Sequence, residues 1–242
     1  MSPVLSHNLS RCFPVGDIPW HKVGDGWLSG CEGKILRALD DGSVRSALVR
    51  LQPNYTGATI DTALTNVQVF VLSGTITLGD AVLPAGGFFV IPSSADFPGL
   101  VSETGAELIV IFDNATTAKT NSVNPVILKS AYEVEPIVPV VDGVRLDGFA
   151  RRVLWEDTGT GADTRLLTVP AGFEGQGPNW HPVHEEIYCL DGDIGPDDSR
   201  LMVPGTYLHN PAFGVHGYHE HSKGGATILE WHDGRWAVNF IS

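Results

Sequence analysis

The sequence predicts an all-β protein built from two small β-barrels in tandem, and three observations support this prediction. Short runs of β-prone residues alternate with turn residues along the chain of 242 residues, which contains 28 Gly and 16 Pro. No long amphipathic helical pattern interrupts these runs. One half of the chain also repeats the pattern of the other half at a nearly constant spacing, which is typical of a duplicated unit.

The repeat aligns each β-prone run of the first half with a run of the second half. The spacing is 118 residues at first (192 − 74), then 119 (211 − 92) and finally 120 (233 − 113), so two single-residue insertions suffice. The matched segments are 70–74 with 188–192, 86–92 with 205–211, and 107–113 with 227–233. We therefore predict an N-terminal barrel in residues 1–125 and a C-terminal barrel in residues 126–242.

The composition limits which partners and which cellular location we expect for the protein. The formal net charge of −13 argues against nucleic acid and membrane as partners, because nucleic acid and anionic membranes attract clustered Lys and Arg. The N-terminus lacks the features of a signal peptide and no apolar run is long enough to span a bilayer, so a cytoplasmic location is expected. The widely spaced Cys12, Cys31 and Cys189 predict free thiols.

The strongest chemical signal is a cluster of metal-ligand residues in the second half. His181, His184, Glu185 and Glu186 lie within six residues, and His216 follows a turn that contains proline. At the repeat spacing the first half has apolar or amide residues at the positions of His181, His184, Glu185 and His216, namely Ala63, Asn66, Val67 and Phe97. The repeated scaffold therefore forms without these side chains, which indicates a chemical role for them in the second half.

These residues carry a resemblance to the cupin superfamily. Glu185 is followed by six residues and Gly192, His181 precedes Glu185 by four positions, and Gly205, Pro211 and His216 match the second cupin motif. The sequence departs from the family pattern at Asn179, Phe213 and Glu220, which stand where the first histidine, a glycine and the terminal asparagine would fall. The resemblance implies two jelly-roll-type barrels, each a double-stranded β-helix, with metal ligands only in the second.

The resemblance further implies one divalent metal ion in the C-terminal barrel, held by His181, Glu185 and His216. Two histidines and one carboxylate favour non-haem iron(II), while zinc and nickel also suit imidazole ligands. Asn179, His184 or a water molecule would fill the position of the missing histidine. Glu186 points away from Glu185 on a strand, so we expect a solvated carboxylate or one that supports the site from behind.

Other side chains near the motifs are candidates for the lining of a substrate pocket. Aromatic residues around the motifs suit an apolar pocket for a small ligand, although core packing explains them equally well. Glu230 and His232 replace apolar residues of the first half, which indicates either a pocket lining or an outward face. The candidate lining residues are Trp180, Tyr188, Tyr207, His209, Phe213, Glu230 and Trp231.

These features predict a metal-dependent cupin enzyme that acts on a small organic molecule. The resemblance extends to cupins that cleave acetylacetone or dihydroxyacetophenone, so the leading hypothesis is a non-haem iron dioxygenase for a diketone-like or hydroxyketone-like substrate. A metal-dependent isomerase, lyase or decarboxylase is the first alternative. A non-catalytic zinc-binding or small-molecule sensor, similar to the anti-sigma-factor cupins, is the second. A homodimer is compatible with each of these hypotheses.

Overall fold

The computed structural model describes residues 6–7, 10–61, 65–93, 95–114, 125–141 and 143–241. Within these residues, the helical segments are the 3-10 turns Val15–Asp17 and Ala131–Glu133. No helix in the described part of the chain has the length and apolar character needed to cross a membrane. The prediction of an all-β chain is confirmed. Ala63, the predicted counterpart of His181, lies outside the described residues.

The strands follow one another along the chain with short connections. In chain order they are β1 (Ser6–His7), β2 (Arg11–Pro14), β3 (His21–Lys22), β4 (Glu32–Ala38), β5 (Val44–Leu51), β6 (Tyr55–Thr56), β7 (Ile60–Asp61), β8 (Thr65–Leu78), β9 (Ala81–Pro84), β10 (Phe88–Ile91), β11 (Asp96–Phe97), β12 (Leu100–Ser102), β13 (Ala106–Asn114), β14 (Val126–Leu128), β15 (Val140–Val141), β16 (Val144–Arg145), β17 (Ala150–Glu156), β18 (Asp163–Val169), β19 (Phe173–Glu174), β20 (Asn179–Trp180), β21 (Glu185–Gly192), β22 (Ile194–Asp197), β23 (Arg200–Met202), β24 (Thr206–Asn210), β25 (Gly214–Val215), β26 (His221–Ser222), β27 (Ala226–His232) and β28 (Asn239–Phe240).

The first compact unit comprises residues 18–133. Its main sheet has the order β14-β10-β8-β13-β5-β4-β3, and all of these neighbours pair antiparallel. The interior of the unit is filled with apolar side chains, among them Ala47, Val67, Val69, Phe89, Ile91 and Val110. Burial of this apolar surface is the main source of stability for a unit of this kind.

The second compact unit comprises residues 134–242 together with residues 1–17. Its main sheet has the order β17-β18-β27-β21-β24-β2, and a smaller sheet has the order β19-β26-β22-β23. The predicted domains, 1–125 and 126–242, differ from these units at both ends, and strand pairing gives the reason. Strand β2 pairs with β24 of the second unit, whereas β14 pairs with β10 of the first.

The two units share their strand registers at the spacing found in the sequence. Val67 of β8 lies opposite Phe112 of β13 and Ile91 of β10. In the second unit the same positions, at spacings of 118, 120 and 119, are Glu185, His232 and Asn210, and these are paired in the same way. The inner positions are thus apolar in one unit and polar in the other.

A glycine at the same point of both units fixes a strand bulge. Gly74 and Gly192 each have φ 77° and follow a register shift in β8 and β21 respectively. A Cβ atom on Gly192 would overlap the carbonyl oxygen of Gly225, and one on Gly74 would overlap that of Gly105. The close approach of two backbones therefore requires glycine at both positions.

Replacement of Gly192 tests this requirement. We expect Gly192→Ala to lower the free energy of unfolding by about 3 kcal/mol or more, because steric overlap adds to the cost of a positive φ. Gly172→Ala is the matched control, since Gly172 has φ 73° and a Cβ atom at this position would have no neighbour within 4 Å, and we expect a loss of about 1 kcal/mol there. Equal losses for the two variants in denaturant-induced unfolding would contradict the steric explanation.

Candidate metal centre and cavity

Three side chains with metal-ligand chemistry meet beside strand β21. Glu185 is the first residue of β21, His181 follows β20, and His216 follows β25. The Nε2 atoms of His181 and His216 lie 3.1 Å apart, and the Glu185 carboxylate oxygens lie 3.4 Å from His181 Nε2 and 3.7 Å from His216 Nε2. Ligand atoms about 2.0–2.2 Å from a shared metal lie roughly 3–3.5 Å from one another, so these spacings suit one small cation.

The second ring nitrogen of each histidine fixes its tautomer. His181 Nδ1 lies 2.9 Å from the carbonyl oxygen of Ala237, and His216 Nδ1 lies 3.0 Å from that of Gly214. A carbonyl oxygen only accepts hydrogen bonds, so each Nδ1 carries a hydrogen, and the neutral form of each ring has its lone pair at Nε2. The two Nε2 atoms face each other beside a carboxylate, and a metal cation would complete this environment.

The protonation states agree with this arrangement. Burial lowers the pKa of His181 and outweighs the attraction of Glu185, so the imidazole favours its neutral form. Burial opposes ionisation of Glu185, but His181, His232 and His216 around it hold the pKa of this carboxyl well below its usual range. Neutral imidazoles and an ionised carboxylate are the forms that bind metal ions.

Asn179, which stands where the cupin motif has its first histidine, lies next to His216. Reciprocal backbone hydrogen bonds of 2.9 Å join the two residues. Asn179 Oδ1 is buried and has no hydrogen-bond partner in the part of the chain that the structure describes. Asn179 and His181 line the same cavity, and coordination of a metal by the Asn179 oxygen stays a prediction.

His184 is directed elsewhere. Its Nδ1 lies 3.0 Å from Nε2 of His209, and the two rings stack with their planes 18° apart. Its backbone N–H donates to Asp233 Oδ1 at 2.9 Å. Among the described residues, the groups close enough to share one metal ion include His181, Glu185 and His216 but not His184.

Glu185 belongs to a row of polar side chains that crosses four strands. The register of β18, β27, β21 and β24 places Asp163, His232, Glu185 and Asn210 side by side. Asn210 Nδ2 donates to Glu185 Oε2 at 2.7 Å, and Trp236 Nε1 donates to Oε1 at 3.0 Å. His232 Nδ1 lies 2.7 Å from Asp163 Oδ1. These contacts hold the carboxylate in one orientation.

Glu185, Glu230 and His232 form a second set of possible ligands. Here a cation is already present, because Arg165 Nε donates to Glu230 Oε2 at 2.7 Å and the guanidinium stacks 4.6 Å from the Trp236 ring centroid. Arg165 Nη2 also lies 3.5 Å from His232 Nε2. A metal ion at this point would be repelled by the guanidinium, so His181, Glu185 and His216 are the better candidate ligands of the two sets.

A cavity of about 190 Å³ adjoins the metal centre. Its polar lining includes Asn179, His181, Glu185 and Glu230, and its size suits a small molecule. Apolar side chains form much of the remaining wall, among them Val140, Leu146, Phe149, Leu167, Ile187 and Ile228. Glu230 was predicted from the sequence as a lining residue, and the structure places it there.

The other predicted lining residues lie outside the cavity wall. Tyr188 and Trp231 alternate along their strands with the inward residues Ile187 and Glu230, so they point to the opposite face of the sheet. Tyr207 pairs with Tyr188 and therefore shares that face. His209 contacts His184 as described above, and the rings of Trp180 and Phe213 pack against each other with centroids 5.6 Å apart.

Glu186 is buried and not solvated. It points away from Glu185, as the strand alternation predicts, and its Oε2 accepts a hydrogen bond of 2.6 Å from the Tyr207 hydroxyl. Strand alternation therefore predicts the direction of the Glu186 side chain correctly, whereas its burial could not be predicted from the sequence.

Glu220 is a further carboxyl in the cavity lining. Its side chain makes no hydrogen bond to the residues that the structure describes. Burial, reinforced by the negative charges of Glu185 and Glu230, raises its pKa to about 8. Glu220 thus holds a proton near neutral pH, which is the state of a carboxyl that donates a proton to a bound molecule.

The sequence contained a signal for two side chains of this site that its motifs did not include. At the repeat spacings of 118 and 119, Arg165 and Asn210 replace the buried apolar residues Ala47 and Ile91 of the first unit. An exchange of apolar for polar residues at inward positions marks the site more widely than the histidine motif alone.

Comparison with solved structures identifies the fold. A putative dioxygenase from Nostoc punctiforme matches with a TM-score of 0.79 at 17% identity, over 96% of this chain and 87% of that one. Protein Ylba from E. coli matches with a TM-score of 0.71 at 15% identity, over 96% and 94% of the two chains. Oxalate decarboxylase from Bacillus subtilis, in a variant form, matches with a TM-score of 0.59 at 15% identity, over 99% and 81%.

No protein-family model matches the sequence, and no curated protein matches it. The structural matches, all at low identity, establish the cupin-type fold that the two sequence motifs predict. They do not establish an activity.

The raised pKa of Glu220 predicts a pH-dependent effect on stability. A carboxyl with a folded pKa of about 8, against an ordinary value of 4.5, is protonated more readily in the folded than in the unfolded chain between these values. Stability therefore falls as pH rises through this window. In chelator-treated protein, we expect Glu220→Gln to raise the free energy of unfolding at pH 8 by about 1–3 kcal/mol and to have little effect at pH 4. A difference independent of pH would contradict this account.

Proposed function

We propose that this protein is a metal-dependent enzyme that acts on a small organic molecule in the cavity of the second unit. The observation that carries the proposal is the facing pair of Nε2 lone pairs of His181 and His216 beside the ionised Glu185. The adjoining cavity gives a small molecule access to this centre. Sites of this kind, concave and mostly apolar with a few convergent polar groups, are the usual form of an active site.

His181, Glu185 and His216 would hold one divalent ion. Two histidines and one carboxylate favour iron(II), and zinc or nickel also fits imidazole ligands. The Bacillus subtilis oxalate decarboxylase of similar fold has Mn(II) centres, so manganese joins the candidates. The bound ion would supply Lewis-acid polarisation of the substrate and, if it is iron, a means of activating dioxygen.

The residues around the centre perform the remaining tasks. Asn210 and Trp236 orient Glu185, and the backbone carbonyls of Gly214 and Ala237 orient the two histidines. The apolar wall excludes water from the bound substrate, which strengthens every electrostatic interaction inside the cavity.

Our leading assignment within this class is a dioxygenase that cleaves a diketone-like or hydroxyketone-like substrate. The ligand set of two histidines and one carboxylate supports it, because this set leaves positions free for both substrate and dioxygen on iron(II). The Nostoc punctiforme protein with the highest TM-score reported above carries the dioxygenase name.

Glu220 favours a second candidate, a metal-dependent isomerase, lyase or decarboxylase. A protonated carboxyl in the cavity provides a proton for a carbanion or enolate, and these reactions need such a transfer. Cleavage of a diketone by a dioxygenase does not require this proton transfer.

We also propose that the two units are barrels of one repeated architecture and that the first has lost, or never acquired, a metal site. The shared registers and the shared bulge glycines support this interpretation. The apolar interior of the first unit supports its structural role.

Metal content tests the central proposal. We expect purified protein reconstituted with iron(II), zinc or manganese to retain about one ion, and His216→Ala to weaken metal affinity by roughly 100-fold or more because one ligand is lost. His219→Ala is the matched control, since His219 is an exposed histidine paired with Glu174 and Asp198. Elemental analysis after dialysis measures the result. Absence of metal from folded wild-type protein would overturn the proposal.

Oxygen uptake separates the two enzyme classes. With iron(II) bound and pentane-2,4-dione as substrate, a dioxygenase consumes oxygen in step with loss of the diketone, and Glu220→Gln retains most of the rate. A proton-transfer enzyme consumes none, and its rate falls as pH rises through about 8 as Glu220 loses its proton. Turnover without oxygen uptake would exclude the dioxygenase.

A further inference from the structure

Arg151 brings a second guanidinium to the cavity. It lies on β17 opposite Leu167 of β18, and both side chains line the cavity. Reciprocal backbone hydrogen bonds of 2.8 and 2.9 Å to Ile137 hold the Arg151 backbone in place. The position is therefore set by the sheet and does not depend on a mobile loop.

The acidic side chains nearby are already engaged. Glu230 pairs with Arg165 at 2.7 Å, and Asp163 lies 2.7 Å from His232 and 3.5 Å from Arg165. Arg151 makes no ion pair with the residues that the structure describes. Its Nε is buried and has no hydrogen-bond partner among them.

Arg151 is half-buried, and the burial of its Nε without a partner carries a cost to the folded protein. The guanidinium keeps its charge in proteins, so it cannot avoid the penalty of burial by releasing a proton. Burial and the positive charge of Arg165 lower the pKa of Arg151, and they outweigh the opposing attraction of Asp163, Glu230 and Glu156. An anion in the cavity would relieve this penalty.

We propose that Arg151 is the counter-ion for a carboxylate group of the substrate. The inference rests on the proposed function and specifies its substrate class, a small organic acid with an apolar body. The apolar residues Leu167, Ile187 and Ile228 line the same cavity as Arg151, His181 and Glu185, which suits a molecule with an apolar body. A planar guanidinium and a planar carboxylate pair through two parallel hydrogen bonds. Arg151 therefore suits a carboxylate better than a group that offers one acceptor atom.

The geometry distinguishes Arg151 from its neighbour. Arg152 also has a buried Nε without a partner in the described chain, but it is the next residue along β17 and is absent from the cavity lining that the structure describes. Arg152 is thus a control that matches Arg151 in chemistry and in strand position while lying outside the site.

Butanoate and butanamide are the probes that test the inference, because they have nearly the same shape and differ in charge. We expect wild-type protein to bind butanoate in isothermal titration and to bind butanamide at least about tenfold more weakly. Arg151→Gln should weaken butanoate binding by about tenfold or more, whereas Arg152→Gln should leave it unchanged. Arg151→Lys, which keeps the charge, should restore part of the affinity. Circular dichroism verifies that each variant is folded.

The inference would be overturned by equal binding of butanoate by wild type and Arg151→Gln, by equal binding of butanoate and butanamide, or by no butanoate binding to folded wild-type protein. Preference for inorganic phosphate over butanoate would also overturn it. The titrations are repeated after removal of metal by chelation, and metal content is measured in the same samples. Butanoate binding that depends on Arg151 in protein unable to hold metal would refute the proposed function alone, while metal binding without carboxylate selectivity would refute this inference alone.

Discussion

The pairing of β21 with β24 and β27 is the constraint on which the site depends. This pairing places Glu185 between Asn210 and His232, which orient its carboxylate or balance its charge. A register shift of one residue would turn Glu185 to the other face and bring Glu186 inward, with a different set of neighbours. The bulge at Gly192 ends the regular register of β21 against β27, so the glycine and the metal ligand belong to one geometric unit.

Much of the fold and part of the site could be predicted from the sequence, for different reasons. His181, Glu185 and His216 stand at motif positions in the sequence, and the structure brings these three together. The contributions of Asp163, Arg165 and Asn210 depend on which strands become neighbours, and this information is spread over residues far apart in the chain. The internal repeat was the one sequence feature that indicated these contributions, because polar residues stand at positions that are apolar in the other unit.

The aromatic residues illustrate the opposite case. Tyr188, Tyr207 and Trp231 are close to the motifs in sequence, but strand alternation directs them to the face away from the cavity. Proximity along a strand is a poor guide to a site, since adjacent residues point in opposite directions. Part of the cavity wall instead comes from β17, β18 and the segment around Val140, which carry no motif. The two units also differ in the energetic cost of their interiors. Apolar side chains fill the interior of the first unit at no electrostatic cost, whereas the buried charges of the second unit must be paired.

The N-terminal segment has a consequence for the order in which the protein is assembled. Ser10 Oγ donates to Asn210 Oδ1 at 2.5 Å across 200 residues of sequence, and Asn210 in turn donates to the metal ligand Glu185. The first unit lies between these segments in the chain, so the contact closes a very long loop, which is a slow event in folding. Ribosomal synthesis would release the whole first unit before the partner of Ser10 exists. The hydrogen-bond chain that fixes the Glu185 carboxylate is therefore completed late, when the earliest part of the chain docks onto one of the last.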